Sequence, residues 1–301
     1  MLLTLWFVAV SLDDASAHPM PDASALMTTA RELVAAGPAA QGSVTKDAVR
    51  EYILARLELS SATTKPLPFR VKVPRHGRWH LTNVIASFNP DARRRVMIGG
   101  HWDTRPWADE DPDPAKRHLP VQGANDGVSS TAVLLEVADT LDGFPLPPDF
   151  GVDIVFFDGE EGPRGTSAYY LGSKHLATRW TRRTGLARPE AGVVVDMVGR
   201  KGQNIKREGY SEKYARVVND ELFTLATARQ FESFSDAPGQ WITDDHRAFN
   251  QRNMPVALLI DIDDPAWHTT NDVIENLDGK AMAEVAALLI AWIQTRSARA
   301  L

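Results

Sequence analysis

The sequence predicts an α/β fold, a three-layer α/β/α sandwich around a central mixed, mostly parallel sheet. Apolar runs of strand length alternate along the chain with amphipathic segments of helix length. The later runs, such as GVDIVFF and AGVVV, are apolar at nearly every position, as strands covered on both faces must be. Three strand-like stretches come early with no helix between them, which fits an antiparallel edge on the same sheet. At 301 residues, 44% hydrophobic and 24% charged, the chain has the length for one large α/β domain.

Residues 24–59 read as helical, with breaks at Gly37-Pro38 and Gly42-Ser43. The early strands are FRVKV (69–73), LTNVIASF (81–88) and RVMIGG (95–100). Between the last two, Asn89-Pro90-Asp91 signals a turn, and Arg93-Arg94-Arg95 reads as a solvated loop. A helix over 128–141, a strand over 151–158 and a helix over 172–180 follow. Next come a strand over 191–198, a helix over 211–228 and a strand over 254–262, and a last helix runs from Asp278 to about Gln294. No repeat or linker divides residues 18–301, which read as a single catalytic domain. Ahead of it, apolar MLLTLWFVAVSL precedes Ala15-Ser16-Ala17, which resembles a cleavage site but lacks a positive leader. Residues 1–17 therefore read as an export signal or an apolar N-terminal segment, with a periplasmic or secreted protein as the expectation. The stretch is too short to serve as a transmembrane segment.

The net charge is −6 with the signs interleaved, so no basic stripe offers itself to nucleic acid. The absence of cysteine excludes disulfides, a thiol nucleophile and thiolate-bound zinc. In open sheets ligands gather outside the carboxyl ends of the strands. Each strong apolar run here delivers a carboxylate or imidazole to that rim. RVMIGG leads to His101 and Asp103, GVDIVFF to Asp158, Glu160 and Glu161, AGVVV to Asp196, and MPVALLIDI to Trp267-His268; the helix at 128 is preceded by Asp126. Each alone has a plain reading: Asp126 as a helix cap, His268 as a surface residue, Glu160-Glu161 as a solvated turn. Asp196 interrupts VVVDMV, where burial without a partner is costly. Together, two histidines and several carboxylates suit a catalytic zinc site. Two adjacent glutamates at a strand end repel, and a dication on Glu161 removes that repulsion and leaves Glu160 free to carry protons. Gly159 and Gly162 give the backbone freedom to present both.

GGHWDTRPWAD, GANDGVSSTAVLLE, FFDGEEG, LGSKHLA, VVDMVG, TDDHRAFN and AWHTTNDVIENLD stand in the order seen in the zinc aminopeptidase superfamily. More narrowly they resemble the animal-type glutaminyl cyclases and their bacterial relatives, over about residues 70–280. The resemblance implies one catalytic zinc on Asp126, Glu161 and His268, with Glu160 as general base and acid. It implies a hydrogen-bond network near that base from Asp196 and Asp244, and a substrate pocket lined by Trp267. Trp102, beside the first motif, is a candidate for the pocket rim. The implied reaction turns the N-terminal glutamine of a peptide or protein into pyroglutamate with release of ammonia. All ligands come from one chain, so a monomer suffices.

Two departures stand out. The loop GPRGTSAYY after Glu161 is shorter than in animal cyclases and lacks their pocket tryptophan, a place that Tyr169 or Tyr170 is positioned to take. His101 and Asp196 match the second-metal ligands of the aminopeptidases, so the metal count is one or two. The rival reading is a two-zinc aminopeptidase with Asp126 bridging the ions and Glu160 activating water; Asp244 and Trp267 favour the cyclase. A third reading, a catalytically dead binding relative, sits poorly with a complete set of candidate ligands.

Overall fold

The computed structural model describes residues 20–299. The expected signal or apolar segment at 1–17 lies outside the described residues. Helices α1 (Ala23–Ala36) and α2 (Lys46–Leu57) come first, α1 being capped by Asp22, whose carboxylate accepts from the N–H of Ser24. Strands β1 (Thr63–Val73) and β2 (Gly77–Phe88) then form a long antiparallel hairpin. Strand β3 (Arg94–His101), helix α3 (Ser130–Asp142), β4 (Phe150–Phe157), α4 (Leu171–Ala177), α5 (Trp180–Thr184) and β5 (Ala191–Asp196) complete the middle of the chain. The last third holds β6 (Ile205–Arg207), α6 (Gly209–Tyr214), α7 (Arg216–Ala228), β7 (Phe234–Pro238), α8 (His246–Asn250), β8 (Val256–Ile260) and α9 (Gly279–Ser297).

Six strands make one mixed sheet in the order β1-β2-β4-β3-β5-β8. The β1–β2 and β2–β4 pairings are antiparallel, and β4–β3, β3–β5 and β5–β8 are parallel. The first two early strands form the expected antiparallel edge, whereas the third, β3, lies inside the sheet and runs parallel to both β4 and β5. Alternation along β4 sorts side chains onto two faces. Val152, Ile154 and Phe156 pack into a core with Leu33, Ile53, Val133, Leu222 and Leu288 from α1, α2, α3, α7 and α9. Val155 and Phe157 face a second core with Leu176, Trp180 and Phe249 from α4, α5 and α8. Two cores on opposite faces of one sheet are the three layers. Among the described residues, no helix is long and apolar enough to cross a membrane.

Three local expectations need correction. Arg94 and Arg95 are not in a solvated loop: they open β3, and Arg95 is fully buried. Its Nε and Nη2 donate to the Asp153 carboxylate on β4 at 2.8 and 2.6 Å, while Nη1 donates to Asn89 O and Ala92 O. A buried carboxylate one strand away turns a surface cation into a core one. The helix expected over 211–228 breaks at Ala215, with φ −137° and ψ 31°, into α6 and α7. The small parallel pair β6–β7 was not expected, being too short to show a period.

Candidate active site

The parallel strands bring their ends to one rim. β3 finishes at His101, β4 runs into Asp158-Gly159-Glu160-Glu161, β5 finishes at Asp196, and the loop beyond β8 carries His268. Asp126 enters from a π turn, Ala124–Ser129, where its φ of −89° and ψ of 88° are not helical. The N-cap of α3 is Ser129, so Asp126 caps nothing. The N–H groups of Asn125 and Asp126 donate to the Asp272 carboxylate at 2.7 and 3.1 Å, which holds the turn in place.

Asp103 cradles the two glutamates in the same manner. The N–H of Glu160 donates to its Oδ1 at 3.2 Å and that of Glu161 to its Oδ2 at 3.3 Å. Gly159, at φ 79°, supplies the left-handed turn expected of it. Gly162 is required for a different reason, since a Cβ there would fall 2.0 Å from Ala168 O.

Asp126 Oδ2 and Glu161 Oε1 stand 3.4 and 3.5 Å from His268 Nε2. Both oxygens are buried and have no hydrogen-bond partner among the described residues. The companion oxygens are engaged: Asp126 Oδ1 lies 3.2 Å from His101 Nε2, and Glu161 Oε2 accepts from Arg105 Nη1 at 2.7 Å. Ligand atoms about 2.0–2.1 Å from a tetrahedral zinc stand roughly 3.3–3.5 Å from one another. The spacing of the unpartnered oxygens around the imidazole thus fits such an ion. His268 is itself held at φ 55°, an uncommon conformation for a residue with a side chain.

His101, Asp126 and Asp196 form a second group of donors that shares Asp126 with the first. His101 Nε2 lies 2.9 Å from Asp196 Oδ1, and Nδ1 lies 2.9 Å from the carbonyl oxygen of Asp103. A carbonyl only accepts, so Nδ1 donates to it.

Glu160, Asp196, Asp244, Tyr169, Tyr170 and Trp267 line a cavity of about 290 Å³ in front of these groups. Trp267 is 38% exposed and stacks on His268 with ring centroids 3.8 Å apart. Trp102 is not at the rim. It is 1% exposed in the main core, with Nε1 donating to Thr82 O.

Burial, reinforced by the charge of Glu161, holds the Glu160 carboxyl well above the usual range. Burial and Asp196 do the same to Asp244, and burial with Glu161 lifts Asp126 to about 6. At Glu161 burial pushes upward, but His268 and Arg105 outweigh it and bring the carboxyl to about 2. Burial would lower the His268 imidazole, yet Glu161 and Asp126 raise it. Arg105 and Asp272 escaped the sequence reading. The partners that tie them to the site, Glu161 for Arg105 and Asn125 and Asp126 for Asp272, lie far away in sequence, and the signal for Arg105 was an arginine inside the stretch DTRPWAD.

The sequence model of Peptidase family M28 matches residues 83–293, from within β2 into α9. Over 279 residues the chain is 29% identical to the glutaminyl-peptide cyclotransferase of Drosophila melanogaster, covering 84% of this chain and 75% of that one. The solved glutaminyl cyclase of Fimbriiglobus ruber superposes with a TM-score of 0.86 at 31% identity, over 93% of this chain and 97% of that one. A leucine aminopeptidase precursor from Bacteroides thetaiotaomicron VPI-5482 also gives 0.86, at 29% identity, over 91% and 97%. Since the family model takes in every site residue from His101 to His268 and most of the chain, the protein belongs to Peptidase family M28.

Proposed function

We propose that the protein is a zinc-dependent glutaminyl-peptide cyclotransferase acting on peptides and proteins that begin with glutamine. One observation carries this reading. The donors of Asp126, Glu161 and His268 converge beside Glu160 at the base of a single cavity, in a chain similar over most of its length to proteins so named. Asp126, Glu161 and His268 hold one zinc ion. Bound there, the ion supplies Lewis-acid polarisation of the glutamine γ-carbonyl.

The chain's own groups do the rest. The cavity takes the glutamine side chain, and Trp267 and Tyr169 offer aromatic walls to it. Glu160 takes a proton from the substrate's α-amine as the amine nitrogen bonds to the carbonyl carbon of the side-chain amide. Glu160 then returns that proton to the amide nitrogen as the carbon–nitrogen bond breaks and ammonia leaves. Its raised affinity for protons suits a group that must both take and give one near neutral pH. Asp244, whose carboxyl is held well above the usual range by burial and by Asp196, lines the cavity with Glu160 and Asp196. Attacker and carbonyl belong to one residue, so holding that residue in a closed conformation supplies part of the acceleration, with effective molarities of roughly 10⁵ M or more.

The His101–Asp126–Asp196 group favours a second reading, a two-zinc aminopeptidase in which Asp126 bridges the ions. A peptide beginning Gln-Ala, followed by mass spectrometry with and without a chelator, separates the two. Chelator-sensitive loss of ammonia with the peptide bond intact supports the cyclase. Release of free glutamine replaces it with the peptidase.

A further inference from the structure

Arg105 is 2% exposed in a wall otherwise rich in carboxylates, and its guanidinium is used on every side. Nη1 donates to Glu161 Oε2 at 2.7 Å and to Gly162 O at 2.9 Å. Nε and Nη2 form a two-point contact with Asp109 at 3.0 and 2.7 Å. Asp109 Oδ1 in turn stands 3.8 Å from His268 Nδ1, and the N–H of the next residue, Glu110, donates to His268 O at 3.1 Å. Glu161, Arg105, Asp109 and His268 therefore form one connected series that joins two of the candidate metal ligands.

Resting on the metal-site reading above, we propose that Arg105 is a positioning residue that restricts Glu161 to a single donor oxygen and, through Asp109, fixes the imidazole of His268. A free glutamate beside a dication binds through one oxygen or through both, and its side chain has several rotamers to choose from. A charge-assisted hydrogen bond at 2.7 Å inside a buried wall removes Oε2 from that choice and leaves Oε1, the unpartnered oxygen, facing His268. The Asp109 charge beside Nδ1 favours the tautomer with its proton there, which turns the lone pair of Nε2 toward Asp126 Oδ2 and Glu161 Oε1. Only a planar, forked cation serves both carboxylates at once; a lysine supplies the charge without the fork.

The test compares Arg105→Gln, Arg105→Lys and Asp109→Asn with the parent protein. Zinc affinity is measured by chelator competition, and the visible spectrum is recorded after zinc is replaced by Co(II). Arg105→Gln is expected to weaken zinc binding roughly 10–100-fold. Its Co(II) bands should fade as Glu161 adds its second oxygen to the metal. Arg105→Lys should recover part of the affinity, and Asp109→Asn should move both readouts the same way by less. Parental affinity with an unchanged Co(II) spectrum in Arg105→Gln overturns the proposal. If that variant does not fold, the same unchanged pair of readouts in Asp109→Asn overturns it. Neither readout uses a glutamine peptide, so a parent protein that binds zinc but leaves glutamine uncyclised sinks the proposed function and spares this one.

Discussion

At Glu160 and Glu161 two adjacent carboxyls are driven apart, one well above the ordinary range and one to about 2. The cause is which cations each one faces: His268 and Arg105 lie against Glu161, and burial dominates at Glu160. If Glu160 carries the proton, Glu160→Gln should lower kcat about 10²–10⁴-fold while zinc stays bound at parental stoichiometry. Turnover at the parental rate would remove the role. The sequence brought His101, Asp126, Glu160, Glu161, Asp196 and His268 into view because each follows a strand or opens a helix, and strand ends share a rim. It misjudged Trp102, since a motif does not reveal whether the next side chain turns into the cavity or back under the sheet. It passed over Arg105 because the meaning of that residue lies in a partner 56 positions away.

Strand β3 begins with a charge inside the core, and its neighbour β4 supplies the counter-charge. Removing one partner leaves the other buried and uncompensated, so Arg95→Met should cost about 3–5 kcal/mol in urea unfolding, with Arg95→Met/Asp153→Leu recovering much of it. An effect under about 1 kcal/mol for the single change would show that the pair is poorly desolvated. Helix α6 depends on a carboxylate as well. The oxygens of Glu208 accept from the N–H groups of Tyr210, Ser211 and Ile242, and its Oε2 lies 3.4 Å from His246 Nε2. Burial would raise this carboxyl, but His246 and the backbone donors bring it to about 2, against 4.5 in an unfolded chain. A depressed carboxyl stabilises the fold above its unfolded value and loses that contribution as pH falls toward the folded one. Glu208→Gln should therefore lower the melting temperature at pH 6–7, and the two melting curves should converge between about pH 4 and 2; a gap independent of pH would refute the assignment. The long helices and the apolar strands were legible from their periods. The break at Ala215 was not, because no glycine or proline marks it.

In the molecule as a whole, the cavity concentrates Asp126, Glu160, Glu161, Asp196 and Asp244 in one place. A bound dication offsets that charge, so chelation should lower the melting temperature and restored zinc should raise it. An ion at 100 times its dissociation constant is worth about 2.7 kcal/mol to the folded state. A transition indifferent to chelator would argue against a resident metal. The layer architecture followed from alternating element types. The strand order β1-β2-β4-β3-β5-β8 did not, because neighbours in a sheet are chosen by contacts between residues far apart in the chain. One consequence concerns the outer strand β1, which carries Pro66 and Pro68 and exposes Lys65, Arg70 and Lys72. Two missing N–H donors and a row of positive charge make this edge a poor template for another strand. The hairpin that closes the sheet therefore also guards the protein against edge-to-edge aggregation in concentrated solution.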